Sequence, residues 1–283
     1  MTEATTTRQW HMVGLSIRGV AHINHDMPCQ DSHVWRALPG GAVVVAVADG
    51  AGSASLSQLG SMRAALAAVE WVTELMQDSW PRSEDEWREM LSAALQTAHE
   101  SVLEAARRRQ VEPRELATTL IVMVATPYGA AAAQVGDGAA IVMNSERDLL
   151  AITAPQRGEY INETLFFTSP DYLKSMQFAL WQGNVAGLCV ISDGLQLLAL
   201  KMPDSTPHPA FFAPLLQLLE ASDDMRDAEA ELRNFLGSDR IRQRADDDLT
   251  LVLGTLECRK TENHASACDE PDRAEPGDPP GTD

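Results

Sequence analysis

The chain has 283 residues, with 41 acidic against 22 basic side chains and a formal net charge of −19. Its length can bury a substantial core as one domain, and the acid excess argues against nucleic acid or an anionic membrane as main partners. No apolar run approaches the ~18 residues a membrane helix needs, and Met1 to His11 is polar, with no secretory signal. Cys29, Cys189, Cys258 and Cys268 are widely separated and form no C-x-x-C pair, so free thiols in a reducing cytoplasm are expected.

In chain order, Val43 to Val47 is a short β-branched run ending at Ala48-Asp49-Gly50, the pattern of a buried strand. Leu59, Met62, Leu66, Val69, Val72 and Met76 recur at helical spacing and predict one apolar helix face. Ser83 is placed to cap a second helix reaching about Gln110, with Glu84, Asp85 and Glu86 in its first turn. Trp87, Leu91, Leu95, Ala98, Val102 and Ala106 should form its buried side. Arg107, Arg108 and Arg109 suit the negative end of its dipole; such a run could also dock a phosphopeptide, and a solvated helix end is the better reading. Thr118 to Thr126, Pro127-Tyr128-Gly129 and Ala130 to Val135 predict a hairpin, and Gly136-Asp137-Gly138 turns into Ala139 to Met143. Leu188 to Ile191 precedes Ser192-Asp193-Gly194 and places Cys189 in the core. Phe211 to Ala221 and Met225 to Leu236 form a later helix pair. Asp246-Asp247-Asp248 then enters the apolar run Leu249 to Leu253. Glu257 to Asp283 is polar, acidic and proline-bearing, and is expected to be a disordered tail. Strand clusters interrupted by a helix pair suggest an α+β fold with sheets sandwiched between helices.

Three Asp-Gly steps leave apolar runs, an Asp cluster enters another, and Cys29-Gln30-Asp31 lies upstream. One Asp-Gly is ordinarily just a turn; the repetition points to carboxylates held at strand ends. Converging carboxylates repel one another unless cations or protons offset their charge. An oxygen-dominated set favours hard ions such as Mg²⁺ or Mn²⁺.

The wording and order of these segments resemble the metal-dependent type 2C protein phosphatases. The resemblance runs through Ala48-Asp49-Gly50-Ala51-Gly52-Ser53 with Leu59-Gly60-Ser61, Ala117-Thr118-Thr119-Leu120, Val135-Gly136-Asp137-Gly138, Ile191-Ser192-Asp193-Gly194-Leu195 and Asp247-Asp248-Leu249-Thr250-Leu251. Pro28-Cys29-Gln30-Asp31 and Gly158 to Thr164 look most like a compact bacterial subgroup. The resemblance implies two packed antiparallel β-sheets flanked by helices, an α-β-β-α sandwich with a metal centre at one end. It places the catalytic domain at residues 14–256, between a polar segment 1–13 and a tail 257–283.

It further implies hydrolysis of phosphoserine or phosphothreonine in a phosphorylated protein substrate, in signalling opposed by a serine/threonine kinase. The cofactors would be two Mn²⁺ or Mg²⁺ ions, with a third in some members. Asp49 should bridge the two ions, with the Gly50 carbonyl on one, and Asp193 and Asp247 on the other. Asp31 should act through water on an ion, and Asp137 should help hold a third, weaker ion. The register of Asp-Asp-Leu-Thr leaves Asp247 or Asp248 as ligand, with Asp247 preferred and Asp248 orienting its neighbour. Thr118 and Thr119 should pack the strand entering the site. Glu159 and Asn162 would lie on a flap beside the centre, where an ordinary loop is an equal alternative.

The chain also departs from the family. The Arg that members carry five residues before the first Asp is Asp26 here, leaving Arg18, His22 and His25 as substitutes for holding phosphate, His22 preferred. Gln30 replaces a Glu, and Ala51 stands where some relatives carry a His. His22, His25, Cys29 and His33 could in principle ligate zinc, though histidines in a loop beside the site is the better reading. Two other functions stay open: a catalytically degenerate module that binds phosphoproteins, and a small-molecule phosphomonoesterase.

Overall fold

Ala42–Ala48 is apolar at every position and buried at every position, which requires a strand covered on both faces. The computed structural model, which describes residues 5–78, 80–156 and 166–261, supplies both covers. The chain runs β1 (Thr5–Ile17), α1 (Val20–Asn24), β2 (Ser32–Leu38), β3 (Ala42–Ala48), α2 (Ser57–Asp78), α3 (Glu84–Arg109), β4 (Leu120–Thr126) and β5 (Gly129–Val135). It continues through β6 (Ala139–Asn144), β7 (Leu149–Ala151), β8 (Gln177–Gln182), β9 (Val185–Ile191), α4 (Gln196–Ala199), β10 (Leu200–Lys201) and β11 (Thr206–Pro207). α5 (Pro209–Ala221), α6 (Met225–Leu236), α7 (Asp239–Arg242) and β12 (Leu249–Thr261) complete it. Two five-stranded sheets, ordered β1-β12-β9-β6-β7 and β2-β3-β4-β5-β8, pack face to face, with β10 and β11 as a separate ribbon. Every pairing is antiparallel.

Alternation along each strand sorts its side chains into layers. Val43, Val45 and Val47 join Ile121, Met123, Leu188, Val190 and Val252 between the sheets. Val44, Ala46 and Ala48 point the other way, onto Val69, Val72, Leu91 and Leu95 of α2 and α3. On the far side Cys189, Ile191, Leu251 and Leu253 pack under Phe212, Leu215 and Leu232 of α5 and α6. The α-β-β-α sandwich is thus the fold. Burial raises the Cys189 thiol far above its ordinary range, as expected for a core cysteine. No described helix is long and apolar enough to cross a membrane.

Both long helices form as expected, and Ser83 Oγ accepts the Glu86 N–H at 3.2 Å. The face of α2 differs at its start. Ala64, Ala65, Ala68, Val69, Val72 and Met76 are buried, whereas Met62 is 46% exposed. Small alanine side chains let α2 lie close to its neighbours, and the stripe they define turns Met62 outward into a surface cavity. The expected domain limits also move. β1 begins at Thr5 and β12 ends at Thr261, and the two pair along their whole lengths. Residues 1–13 and 257–283 therefore each lend part of an edge pair to the fold. The signal was Trp10 and Met12 in the otherwise polar start, both buried between the sheets.

Trp10 is 7% exposed and its Nε1–H donates to the Gly41 carbonyl at 2.9 Å. Trp10→Ala should destabilise the protein by about 3–5 kcal/mol through the cavity it leaves, measured as a lower midpoint in equilibrium urea unfolding.

Candidate metal centre

The acidic turns converge at one end of the sandwich. Asp49 follows β3, Asp137 sits where the chain passes from β5 in one sheet to β6 in the other, Asp193 follows β9, and Asp247 precedes β12. Asp49, Asp137 and Asp193 each bring a carboxylate oxygen within 4.8 Å of the others. Main-chain contacts fix them there. The Thr118 hydroxyl donates to the Asp49 carbonyl at 2.9 Å, and Thr119 accepts the Asp49 N–H at 3.0 Å and returns its own N–H at 2.8 Å. These threonines thus clamp the Asp49 backbone as well as packing the strand. Gly50 must be a glycine, because a Cβ there would lie 2.6 Å from the Gln30 carbonyl oxygen.

Gln134 has no place in the sequence reading. Fully buried, it donates through Nε2 to the carbonyls of Gly136 at 3.0 Å and Gly138 at 2.8 Å, while its Oε1 accepts from Thr153. It sets the shape of the turn that presents Asp137. A lone polar residue within the alanine run of β5 was the available signal.

The electrostatics are those of a site with too much negative charge. Burial, followed by the nearby Asp31 and Asp193 carboxylates, raises the Asp49 carboxyl well above its usual range. Burial also raises Asp193, reinforced by Asp247. Asp31 is pushed up to about 8 by burial, against a lowering pull from the Thr250 hydroxyl, which donates to its Oδ2 at 2.7 Å. Asp193 Oδ1 is buried with no hydrogen-bond partner among the described residues. Half-buried, convergent carboxylates, one with a buried oxygen left unpartnered, fit divalent cations.

Asp247 and Asp248 are separated by environment. Asp248 is 2% exposed; its Oδ1 accepts the Gly19 N–H at 2.7 Å and its Oδ2 the Gln30 N–H at 2.6 Å. Both oxygens are thereby committed to the fold. The Asp247 side chain is 55% exposed, and its Oδ1 accepts the Asp248 N–H at 2.8 Å. His22, the preferred substitute for the phosphate-holding arginine, is instead buried against this pair. Its Nδ1 lies 2.8 Å from Asp248 Oδ1, poorly aligned for a hydrogen bond, and its Nε2 lies 3.8 Å from Asp247. Those three residues form a second group able to hold a cation. Arg18 donates to the Met27 carbonyl at 3.1 Å, and His25 Nδ1 lies 2.7 Å from the Ala21 carbonyl.

His22, His25, Cys29 and His33 do not gather as a zinc site. His33 Nδ1 pairs with Ser16 Oγ at 2.9 Å, and the Cys29 thiol faces the Asp31 carbonyl. Glu159 and Asn162 lie outside the described residues.

The double-sheet sandwich thus carries a carboxylate-rich centre suited to divalent cations at one end. Residues 18–237 match the protein phosphatase 2C family, and the chain belongs to it. Over 250 residues it is 32% identical to Serine/threonine-protein phosphatase 3 of Escherichia coli (strain K12), spanning 86% of this chain and 97% of that relative. Its fold also matches the serine/threonine phosphatase Stp1 from Staphylococcus aureus (TM-score 0.59, 15% identity, 91% of this chain and 98% of that one). A similar match is the catalytic domain of the phosphatase PstP in complex with two manganese ions (TM-score 0.59, 16% identity, 89% and 99%).

Between an ordinary carboxylate value of 3.8 and about 8, folded Asp31 holds a proton that the unfolded chain has lost, and Asp49 and Asp193 shift the same way. Stability present at low pH is therefore lost as pH rises through this window. The metal-free protein should show a falling Tm from pH 5 to pH 8, and Mn²⁺ should raise Tm more at pH 8 than at pH 5, as read by differential scanning fluorimetry.

Proposed function

We propose that the chain is a metal-dependent protein serine/threonine phosphatase whose centre is built by Asp49, Gly50, Asp137, Asp193 and Asp247, with Asp31 beside it. The observation that carries this is the cluster of Asp49, Asp137 and Asp193 with an unpartnered Asp193 oxygen, in a chain of the protein phosphatase 2C family. Two divalent ions held there would supply a water nucleophile near neutral pH and offset charge on the phosphoryl oxygens.

The chain's own residues hold the geometry. Asp49, clamped by Thr118 and Thr119, brings its carboxylate close to those of Asp137 and Asp193 and is suited to bridging. Asp193 and Asp247 offer oxygens on the β9 and β12 side, and Asp137 offers one at the sheet crossing. Asp31, fixed by Thr250, is placed to orient water. Asp248 positions Asp247 through the peptide N–H they share and ties α1 and Gln30 to the same point. No serine or cysteine nucleophile is needed. We assign Mn²⁺ or Mg²⁺ as the ions, a cytoplasmic setting, and a serine/threonine kinase as the opposing enzyme.

Phosphate release from a phosphothreonine peptide should require millimolar Mn²⁺. Asp193→Asn and Asp49→Asn should each lower kcat/KM by roughly 10²-fold or more, the scale of losing one electrostatic element of such a site. Full metal-dependent activity in either variant would sink the assignment.

A further inference from the structure

Beside the Asp49–Gly50 turn lies a cavity of about 510 Å³ that the proposed chemistry does not use. Met27, Leu56, Leu59 and Met62 give it apolar walls, Gln30 borders it on the side of the centre, and Arg109 stands at its edge. Gln30 links its wall to the carboxylate site: its N–H donates to Asp248 Oδ2 and its carbonyl accepts from Ser61 Oγ at 2.5 Å. Held at both backbone ends, Gln30 keeps a side chain that is 6% exposed and whose Oε1 is buried with no hydrogen-bond partner. A buried acceptor left unpaired is unfavourable, so a ligand N–H here would be favoured.

Arg109 provides a second, independent sign. In the run Arg107-Arg108-Arg109, the first two pair with Glu104 at 2.9 and 2.8 Å. Arg109 has no carboxylate partner among the described residues and lines the cavity instead. Met62 is held out into the same space because the alanine stripe of α2 occupies the core.

We propose that this cavity is a recognition subsite for the substrate chain flanking the phosphorylated residue. It would take an apolar side chain beside the phosphorylated position, pair that segment's backbone N–H with Gln30 Oε1, and hold an acidic residue further out on Arg109. The inference rests on the phosphatase reading and deepens it: preferred substrates are phosphopeptides with apolar and acidic flanks.

The test compares two phosphothreonine peptides, one flanked by Leu and then Glu, the other by Gly and then Lys, with p-nitrophenyl phosphate as a substrate lacking flanks. Wild type with Mn²⁺ should favour the Leu/Glu peptide by roughly tenfold in kcat/KM, the scale on which apolar pockets discriminate. In a Leu/Glu versus Leu/Lys pair, Arg109→Glu should reverse the preference. Gln30→Met should lower the ratio of peptide to p-nitrophenyl phosphate turnover, and Gln30→Glu, which keeps an acceptor, should retain it. Metal-dependent p-nitrophenyl phosphate turnover with equal use of both peptides, or an Arg109→Glu variant with unchanged charge preference, would overturn the subsite alone. No metal-dependent release from any of the substrates would remove the phosphatase reading and the subsite with it.

Discussion

Mutual repulsion among buried carboxylates is the constraint around which the molecule is organised. Asp31, Asp49 and Asp193 would each be more stable in water or apart, and burial drives each toward its neutral form. They stay together because they hang from backbone that cannot relax. Asp49 is tied at both its N–H and its carbonyl, and Asp193 follows a Ser192 whose hydroxyl accepts the Thr250 N–H at 3.0 Å. Such a site is preorganised for cations: the protein bears the repulsion on folding, and the ions remove it on binding.

Two sheets are what make that rigidity possible. The donors lie on the ends of β3, β5, β9 and β12, which belong to different sheets, and a hydrophobic layer between the sheets locks their relative position. Two close contacts complete the assembly. Gly50 lets the Gln30 backbone approach the Asp49 turn, and Gly194 lets the Asp248 carbonyl approach the turn after β9. Asp248 then draws the first helix and Gln30 onto the start of β12. A side chain that resembles a ligand in sequence therefore serves as the knot that fixes the real candidates.

Much of this was legible in the sequence because the relevant signals are local. Val43 to Val47 and Leu188 to Ile191 announce strands buried on both faces, and the Gly after Asp49, Asp137 and Asp193 announces a turn. The Ser83 cap and the α3 face are equally local. What escaped depends on partners far along the chain. The segment 1–13 reads as polar, yet the pairing of Thr5–Ile17 with Leu249–Thr261 places Trp10 and Met12 between the sheets. Met62 fits a helical apolar stripe and is nonetheless excluded from it, because close packing selects Ala64, Ala65 and Ala68. Nothing local distinguishes Asp247 from Asp248; their difference lies in the N–H groups of Gly19 and Gln30, more than 200 residues away.

Free positive charge is scarce around the centre among the described residues. Asp26 stands where the family resemblance places an arginine, and two of the side chains that could replace it are committed among the described residues: His22 is buried against Asp248 and Asp247, and Arg18 donates to the Met27 carbonyl. With a net charge of −19 around it, a phosphate dianion would meet a repulsive surface in the absence of ions. Ions held at the centre would therefore draw in the phosphate as well as supply the chemistry, and phosphate alone gives little basis for choosing between substrates. Discrimination then falls to contacts outside the carboxylate centre. The cavity bounded by Gln30, Met62 and Arg109 is suited to that task, because it adjoins the centre and carries a guanidinium free of any carboxylate partner among the described residues.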